Sequence, residues 1–267
     1  MRVAVIRYPG SNADFDAFQA LRALGMWPAF VFHKSAELGP CDAIVIPGGF
    51  SYGDYLRPGS IARFSPISSA VIEAAQRGVP TLGICNGFQI LTELGLLPGA
   101  LAPNEGSRFV CRDIWLRTEA PGAFTSQEMV GKALRLPIAH ANGRYVAEAE
   151  TLRSLQGEGQ VAFRYVAAPE KCDTASDAPH AVTQAATEPR RAPLARSAAV
   201  LAPSLAQTVA HSNPNGSTDD IAGIYDARRR VLGLMPHPER ASESVLGNSA
   251  GAALFESLGR FMGGETR

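Results

Sequence analysis

Apolar residues in the first half of the chain fall in short runs that alternate with stretches of helical period. Val3-Ala4-Val5-Ile6 is a run of four between two arginines, the pattern of a buried strand. Phe15, Phe18, Leu21 and Leu24 recur at spacings of three, which predicts a helix over residues 14–24. Residues 29–32 and 42–46 read as second and third strands. Residues 67–76 read as a helix stopped by Gly78. A further short strand then runs into an amphipathic helix at residue 85. Strand and helix in alternation predict an α/β fold, with a doubly wound, mostly parallel sheet and helices on both faces. Ligands of such sheets bind beyond the C-terminal ends of the strands. The second half is more strand-like, at residues 112–117 and 160–165 and in a hairpin around Asp226-Ala227-Arg228. A last helix over 251–262 packs back on the sheet.

Residues 168–210 break this pattern. They are rich in Ala, Pro, Thr and Ser, hold no Phe, Tyr or Trp, and show no apolar period. Pro179, Pro189, Pro193 and Pro203 oppose one long helix, although a short one fits residues 197–207. The stretch reads as a flexible low-complexity insertion within a single domain spanning 1–267. Cys172 and His180 lie in it and are assigned no chemistry.

Composition narrows the function. With 267 residues, 46% of them hydrophobic, the chain can bury a substantial core, and its formal net charge of zero gives no electrostatic case for nucleic acid or an anionic membrane. Cys41, Cys85, Cys111 and Cys172 are scattered without a Cys-x-x-Cys pair, so neither a disulfide framework nor a metal site is expected. Nothing reads as a signal peptide or a membrane span, and a cytoplasmic, reducing setting is expected.

One of these cysteines is unlike the others. Cys85 follows an apolar strand, precedes a helix, and has Gly83 and Gly87 two residues to either side. This is the thiol counterpart of the Gly-x-Ser-x-Gly elbow, in which small neighbours allow a sharp turn that presents a nucleophile. The helix that follows would set its positive end at the sulfur, which favours the reactive thiolate. Taken alone, the same segment also fits a buried structural cysteine.

Two further segments bear on it. His237 and Glu239 flank Pro238, and in extended chain residues i and i+2 point to the same side. His237 could then take the thiol proton while Glu239 orients its ring, although a loop histidine beside a surface glutamate has the same sequence. Residues 44–46 run as a strand into Pro47-Gly48-Gly49-Phe50, where glycines permit N–H groups to point at a ligand oxygen. The N–H groups of Gly49 and Asn86 form the candidate oxyanion hole.

These pieces together resemble the class I (triad) glutamine amidotransferases. Longer strings narrow the resemblance to the branch of that family serving purine biosynthesis: Pro9-Gly10-Ser11-Asn12, the run from Pro47 through Ser51-Tyr52-Gly53-Asp54-Tyr55-Leu56 to Arg57, Cys85-Asn86-Gly87-Phe88-Gln89, Asn213-Pro214-Asn215-Gly216-Ser217, and Met235-Pro236-His237-Pro238-Glu239-Arg240. The resemblance implies a flavodoxin-like architecture and a Cys85–His237–Glu239 triad. It also implies substrate contacts from Gly48, Gln89 and His140. The reaction implied is hydrolysis of glutamine to glutamate and ammonia. Ammonia would pass to a large ATP-dependent synthetase subunit that aminates formylglycinamide ribonucleotide, with a small accessory subunit in the same complex. No cofactor or metal is expected in this chain, which has no P-loop, so ATP and Mg would belong to the synthetase. The sequence departs from the family at residues 168–210, which relatives cross in a few residues. It departs again at His140-Ala141-Asn142-Gly143, where relatives carry His-Gly-Glu-Gly. The alternatives are the glutaminase of another class I amidotransferase, serving GMP, CTP, anthranilate or carbamoyl phosphate synthesis, and a catalytically silent regulatory subunit. A cysteine protease or stress protein on a similar sheet would place a histidine soon after the cysteine. None lies between Cys85 and His140.

Overall fold

The computed structural model describes residues 1–169 and 212–264. Apart from residues 168 and 169, the insertion expected over 168–210, with its short helix, lies outside the described residues.

Five parallel strands form one half of a nine-stranded sheet: β1 (Arg2–Arg7), β2 (Trp27–Phe32), β3 (Ala43–Ile46), β4 (Thr81–Ile84) and β11 (Val231–Leu234), in the order β2-β1-β3-β4-β11. Helix α1 (Asp14–Ala23) links β1 to β2, and α2 (Pro66–Gln76) lies between β3 and β4. The chain therefore winds outward from β1 to β2 and then back past β1 to β3. The order reverses between β1 and β3, and strand ends at such a point form a crevice. Every residue of β3 and β4 is buried, as parallel strands covered on both faces must be.

Helix α3 (Asn86–Glu93) lies very close to this half of the sheet, and glycines make that approach possible. Gly83 and Gly233 are register partners on β4 and β11. A methyl group on Gly233 would sit 2.1 Å from Cδ2 of Phe88, and one on Gly83 would sit 2.5 Å from Cδ1 of Leu91. A methyl group on Gly87 would lie 2.0 Å from the carbonyl oxygen of Ile46. The two elbow glycines thus do more than permit a turn. They let the helix after Cys85 settle onto β3, β4 and β11.

The other half is antiparallel and continues the sheet through β10 (Ile221–Tyr225), β9 (Val161–Val166), β6 (Val110–Thr118) and β7 (Ala133–His140). The strands and hairpin expected in the second half of the sequence lie here. Strand β7 is an addition to that reading. It carries Pro137 at the free edge, where a missing N–H costs no ladder bond. Four strands separate β7 from β4 in the sheet order, yet the N–H of His237 donates to the carbonyl of Pro137 at 2.9 Å, and the Cys85 thiol reaches the carbonyl of Ala139 at 3.9 Å. The antiparallel half therefore curls back over the ends of the parallel strands. A two-stranded sheet of β5 (Ala100–Ala102) and β8 (Arg144–Val146) flanks this closure. Helix α4 (Ala149–Gly157) precedes β9, and α5 (Ala252–Met262) closes the chain near its expected bounds. Among the described residues no helix is long and apolar enough to cross a membrane.

Candidate active site

Cys85 stands between the last residue of β4 and the first of α3 with φ +52° and ψ −105°. A non-glycine residue rarely adopts that backbone, and such strain clusters at functional sites. Its N–H is tied to the carbonyl of Leu234 at 2.8 Å, and its carbonyl accepts from Phe88 and Gln89, so the turn is fixed on both sides. Among the described residues Cys85 is the one cysteine found in the core; Cys41 is half-buried and Cys111 exposed.

His237 and Glu239 come together as the i, i+2 spacing predicted. Nδ1 of His237 and Oε1 of Glu239 are 2.5 Å apart, with both side chains buried. Burial alone would lower the proton affinity of His237. The Glu239 carboxylate and then the Cys85 sulfur outweigh it and push the imidazole up to about 10, so it is an imidazolium at neutral pH. Nε2 of His237 has no hydrogen-bond partner within ordinary geometry. Gly48 packs against both groups: a methyl group there would lie 2.7 Å from Cε1 of His237 and 3.4 Å from Cβ of Cys85. The side chains of Cys85, His237 and Glu239 are thus gathered beyond the ends of β3, β4 and β11.

The Gly48–Phe50 loop, the candidate oxyanion loop, is held from the β1 side. The carbonyl of Gly48 accepts from the N–H groups of Asn12 and Ala13, and Phe50 donates to the carbonyl of Gly10. Gly49 has φ +156° and bridges to Ser11; a Cβ there would strike Gly10 and Ser11. The N–H groups of Gly49 and Asn86, the expected oxyanion donors, make no backbone hydrogen bond among the described residues. The Asn86 side chain joins the two segments that carry these N–H groups. Its Oδ1 accepts from the N–H of Ser51 at 3.1 Å, and its Nδ2 donates to Oε1 of Gln89 at 2.7 Å. Nε2 of Gln89 in turn donates to the carbonyl of Asn142 at 2.6 Å. Gln89 therefore connects the elbow helix to the loop carrying His140.

That loop is the one whose side chains depart from the family. At the two positions that differ, the contacts are backbone contacts: Asn142 offers its carbonyl to Gln89, and Ala141 offers its carbonyl to the N–H of Asn104 at 2.8 Å. Neither contact needs the side chains that relatives carry. His140 is buried, and Gly143 gives it room, since a methyl group there would lie 2.2 Å from Cε1 of the ring. Burial, with the charge of His237 as the smaller cause, lowers His140 to about 4, so the ring is neutral.

Two asparagines that sequence reasoning left without a role hold this loop. Asn104 donates from Nδ2 to the carbonyl of His140 at 2.9 Å. Asn215, within the Asn213–Ser217 string, donates from Nδ2 to the carbonyl of Gly143 at 2.8 Å, while Oγ of Ser217 accepts from the N–H of Tyr145 at 3.0 Å. The string itself was the available signal for Asn215. Nothing in the sequence around Asn104 distinguishes it from a turn residue. Among the described residues no group of three or more His, Cys, Asp or Glu could hold a metal ion.

A family model for the CobB/CobQ-like glutamine amidotransferase domain matches residues 1–182 and 202–257. The intervening gap, 183–201, lies inside the low-complexity stretch. The phosphoribosylformylglycinamidine synthase subunit PurQ of Mycolicibacterium paratuberculosis is 44% identical over 259 residues, covering 96% of each chain. The same subunit of Thermomicrobium roseum is 46% identical over 260 residues, covering 97% of this chain and 95% of its own. A chain in the structure of PurLQS from Thermotoga maritima superimposes with a TM-score of 0.75 at 35% identity, covering 98% of both chains. A glutamine amidotransferase of T. maritima, at 13% identity and a TM-score of 0.53, shares the fold. The chain belongs to the glutamine amidotransferase family, in the branch formed by the PurQ subunits of phosphoribosylformylglycinamidine synthase.

Proposed function

We propose that this chain is the glutaminase of a phosphoribosylformylglycinamidine synthase. It hydrolyses glutamine at Cys85 and hands the ammonia to a synthetase subunit acting in purine biosynthesis. The observation that carries the reading is Cys85, held at positive φ between two glycines, with the His237–Glu239 pair seated against the same glycine, Gly48.

The Cys85 sulfur attacks the carboxamide carbon of glutamine. The N–H groups of Gly49 and Asn86 receive the oxyanion. The imidazolium of His237 gives its proton to the departing nitrogen, which leaves as ammonia, and a thioester remains on Cys85. The imidazole, now neutral, takes a proton from water as the water attacks the thioester. Collapse releases glutamate and returns the Cys85 sulfur and the His237 imidazole to their starting state. Gly48 and Gln89 wall the pocket, and Glu239 keeps Nδ1 of His237 occupied so that Nε2 faces the sulfur.

The synthetase partner is an ATP-dependent subunit that converts formylglycinamide ribonucleotide to the formamidine, with a small accessory subunit in the same assembly. ATP and Mg belong to that subunit, and the complex works in the cytoplasm. The oxyanion loop offers a docking feature. Tyr55 and Leu56 are 88% and 69% exposed, and Phe50 and Phe64 nearby are also exposed. Exposed apolar side chains gathered in one segment mark interaction surfaces. The decisive assay mixes the chain with synthetase, accessory subunit, ATP-Mg, glutamine and formylglycinamide ribonucleotide. Formation of the formamidine from glutamine, lost in Cys85→Ala and restored by ammonium salt, is the expected result. A complex that makes no formamidine from glutamine, or a Cys85→Ala complex that ammonium cannot rescue, overturns the reading.

A further inference from the structure

Asn104 makes every side-chain hydrogen bond an asparagine can. Its Nδ2 donates to the carbonyls of Arg108 and His140, both at 2.9 Å. With both amide hydrogens spent on carbonyls, the other atom is fixed as the oxygen. That oxygen, Oδ1, accepts from the N–H of Gly143 at 2.9 Å and lies 3.1 Å from Nδ1 of His140. Since Oδ1 can only accept, Nδ1 of His140 must carry the hydrogen. The ring is thereby set in one tautomer, and Nε2 is left as a lone-pair acceptor. That Nε2 is buried and without a partner. Among the described residues only one other imidazole nitrogen is in this condition, Nε2 of His237. A buried acceptor left unmade keeps the full cost of its lost hydration, so such a group asks for an explanation. The rest of the loop is tied on both sides, to Gln89 through the carbonyl of Asn142 and to Asn215 through the carbonyl of Gly143, so the ring is not free to turn away.

We propose that Asn104 is a positioning residue that locks His140 as an Nδ1–H tautomer, so that Nε2 accepts a hydrogen bond from a nitrogen of the bound glutamine. This rests on the glutaminase reading above. Both nitrogens of glutamine, the ammonium and the carboxamide, are N–H donors, and a neutral acceptor suits either. An imidazole in the other tautomer would present a hydrogen to the donor and repel it. His140 needs no proton transfer for this role, which separates it from His237.

The test has a structural arm and a kinetic arm. In the structural arm, nitrogen NMR of the histidine rings is recorded on the Cys85→Ala chain, which cannot turn over. The His140 signals should show a protonated Nδ1 and a bare Nε2 at neutral pH, and saturating glutamine should shift Nε2 alone. In Asn104→Ala the His140 signals should report a mixture of tautomers. In the kinetic arm, His140→Leu should weaken use of glutamine roughly tenfold, the equivalent of about one buried hydrogen bond. His140→Gln, which can place an oxygen near the Nε2 position, should return most of it. A rise in KM alone assigns the contact to the ammonium; a fall in kcat assigns it to the carboxamide. A protonated Nε2 in the unsubstituted ring, or Nε2 signals unmoved by saturating glutamine, overturns the proposal. So does Asn104→Ala with both tautomer and kinetics unchanged. A wild-type complex with no glutaminase activity would instead defeat the functional reading, and the glutamine-induced Nε2 shift would still decide the present one.

Discussion

Gly48 and His237 touch so closely that the smallest possible side chain at position 48 would press on the imidazole, 2.7 Å from its Cε1. The backbone at Gly48 lies outside the left-handed region, so alanine is forbidden there by contact rather than by conformation. Gly48→Ala should therefore displace the ring from Cys85 and lower kcat about a hundredfold, the scale of a misplacement near 1 Å. Overpacking of this kind costs about 1–3 kcal/mol, so the fold should survive. Circular dichroism with a glutaminase assay separates the two effects, and wild-type kcat would show that the ring is not held there.

Cys85 should be the thiol that reacts because of where it is held, not because it is accessible. An electrophilic glutamine analogue should label Cys85 and spare Cys41, Cys172 and the exposed Cys111. Peptide mapping after labelling reads this directly. Modification of Cys111 at an equal rate would mean that exposure governs reactivity.

The carboxylate of Glu239 is the larger of the influences that raise His237, against burial that lowers it. Glu239→Gln should bring the imidazole down and move the alkaline limb of the kcat/KM profile to lower pH. The stability consequence has a definite sign. A histidine raised from 6.5 to about 10 contributes stability fully below 6.5 and loses it as pH rises through 10. The gap in Tm between wild type and Glu239→Gln should accordingly be wider at pH 7 than at pH 10. Calorimetry at both values checks it.

His140 works in the opposite direction. Its depressed value of about 4, against 6.5 unfolded, means the unfolded chain binds the proton first as pH falls. The stability it holds is complete above 6.5 and drains between 6.5 and 4, amounting to roughly 2 kcal/mol by pH 5. His140→Gln should lose less Tm between pH 7 and pH 5 than the wild type does. Equal losses would place the acid sensitivity elsewhere.

The loop beyond Gly49 should gate the site. Tyr52, Gly53 and Asp54 all have positive φ, and the Tyr52 hydroxyl is held by Nδ1 of His33 at 2.9 Å and Oγ of Ser65 at 2.7 Å. A loop strained in this way, with Tyr55 and Leu56 pointing outward, can be pressed by a partner toward or away from the oxyanion geometry. Glutaminase activity of the chain alone should rise at least about tenfold with synthetase, accessory subunit and nucleotide, which needs only about 1.4 kcal/mol. Tyr55→Ser with Leu56→Ser should blunt that rise without changing Tm. Full activity in isolation would refute gating.

What the sequence revealed, and what it hid, divide along the range of the contacts. Cys85 with its glycines, and His237 with Glu239, are each set by local spacing, so both groups were legible. So was much of the parallel half, because β1 and β3 carry continuous apolar runs. Strand β7 was not, because Pro137 interrupts it and its importance lies in two carbonyls that any residue would supply. Asn104 was hidden for a similar reason: its role depends on His140, thirty-six residues away, and a lone asparagine before Glu105-Gly106 looks like any turn. At Ala141 and Asn142 the hydrogen bonds that tie the loop to Asn104 and Gln89 come from main-chain carbonyls, which no side-chain pattern in the sequence could announce.

The closure of β7 over the far half of the sheet also bears on how the chain is made. Cys85 leaves the ribosome about 150 residues before His237 and Glu239 follow it, since synthesis runs in chain order. Until then the elbow has neither its base nor the strand end on which that base is hung. On the proposed function, an unfinished chain carries the thiol without its base, and glutamine would meet a complete site only once β11 has docked.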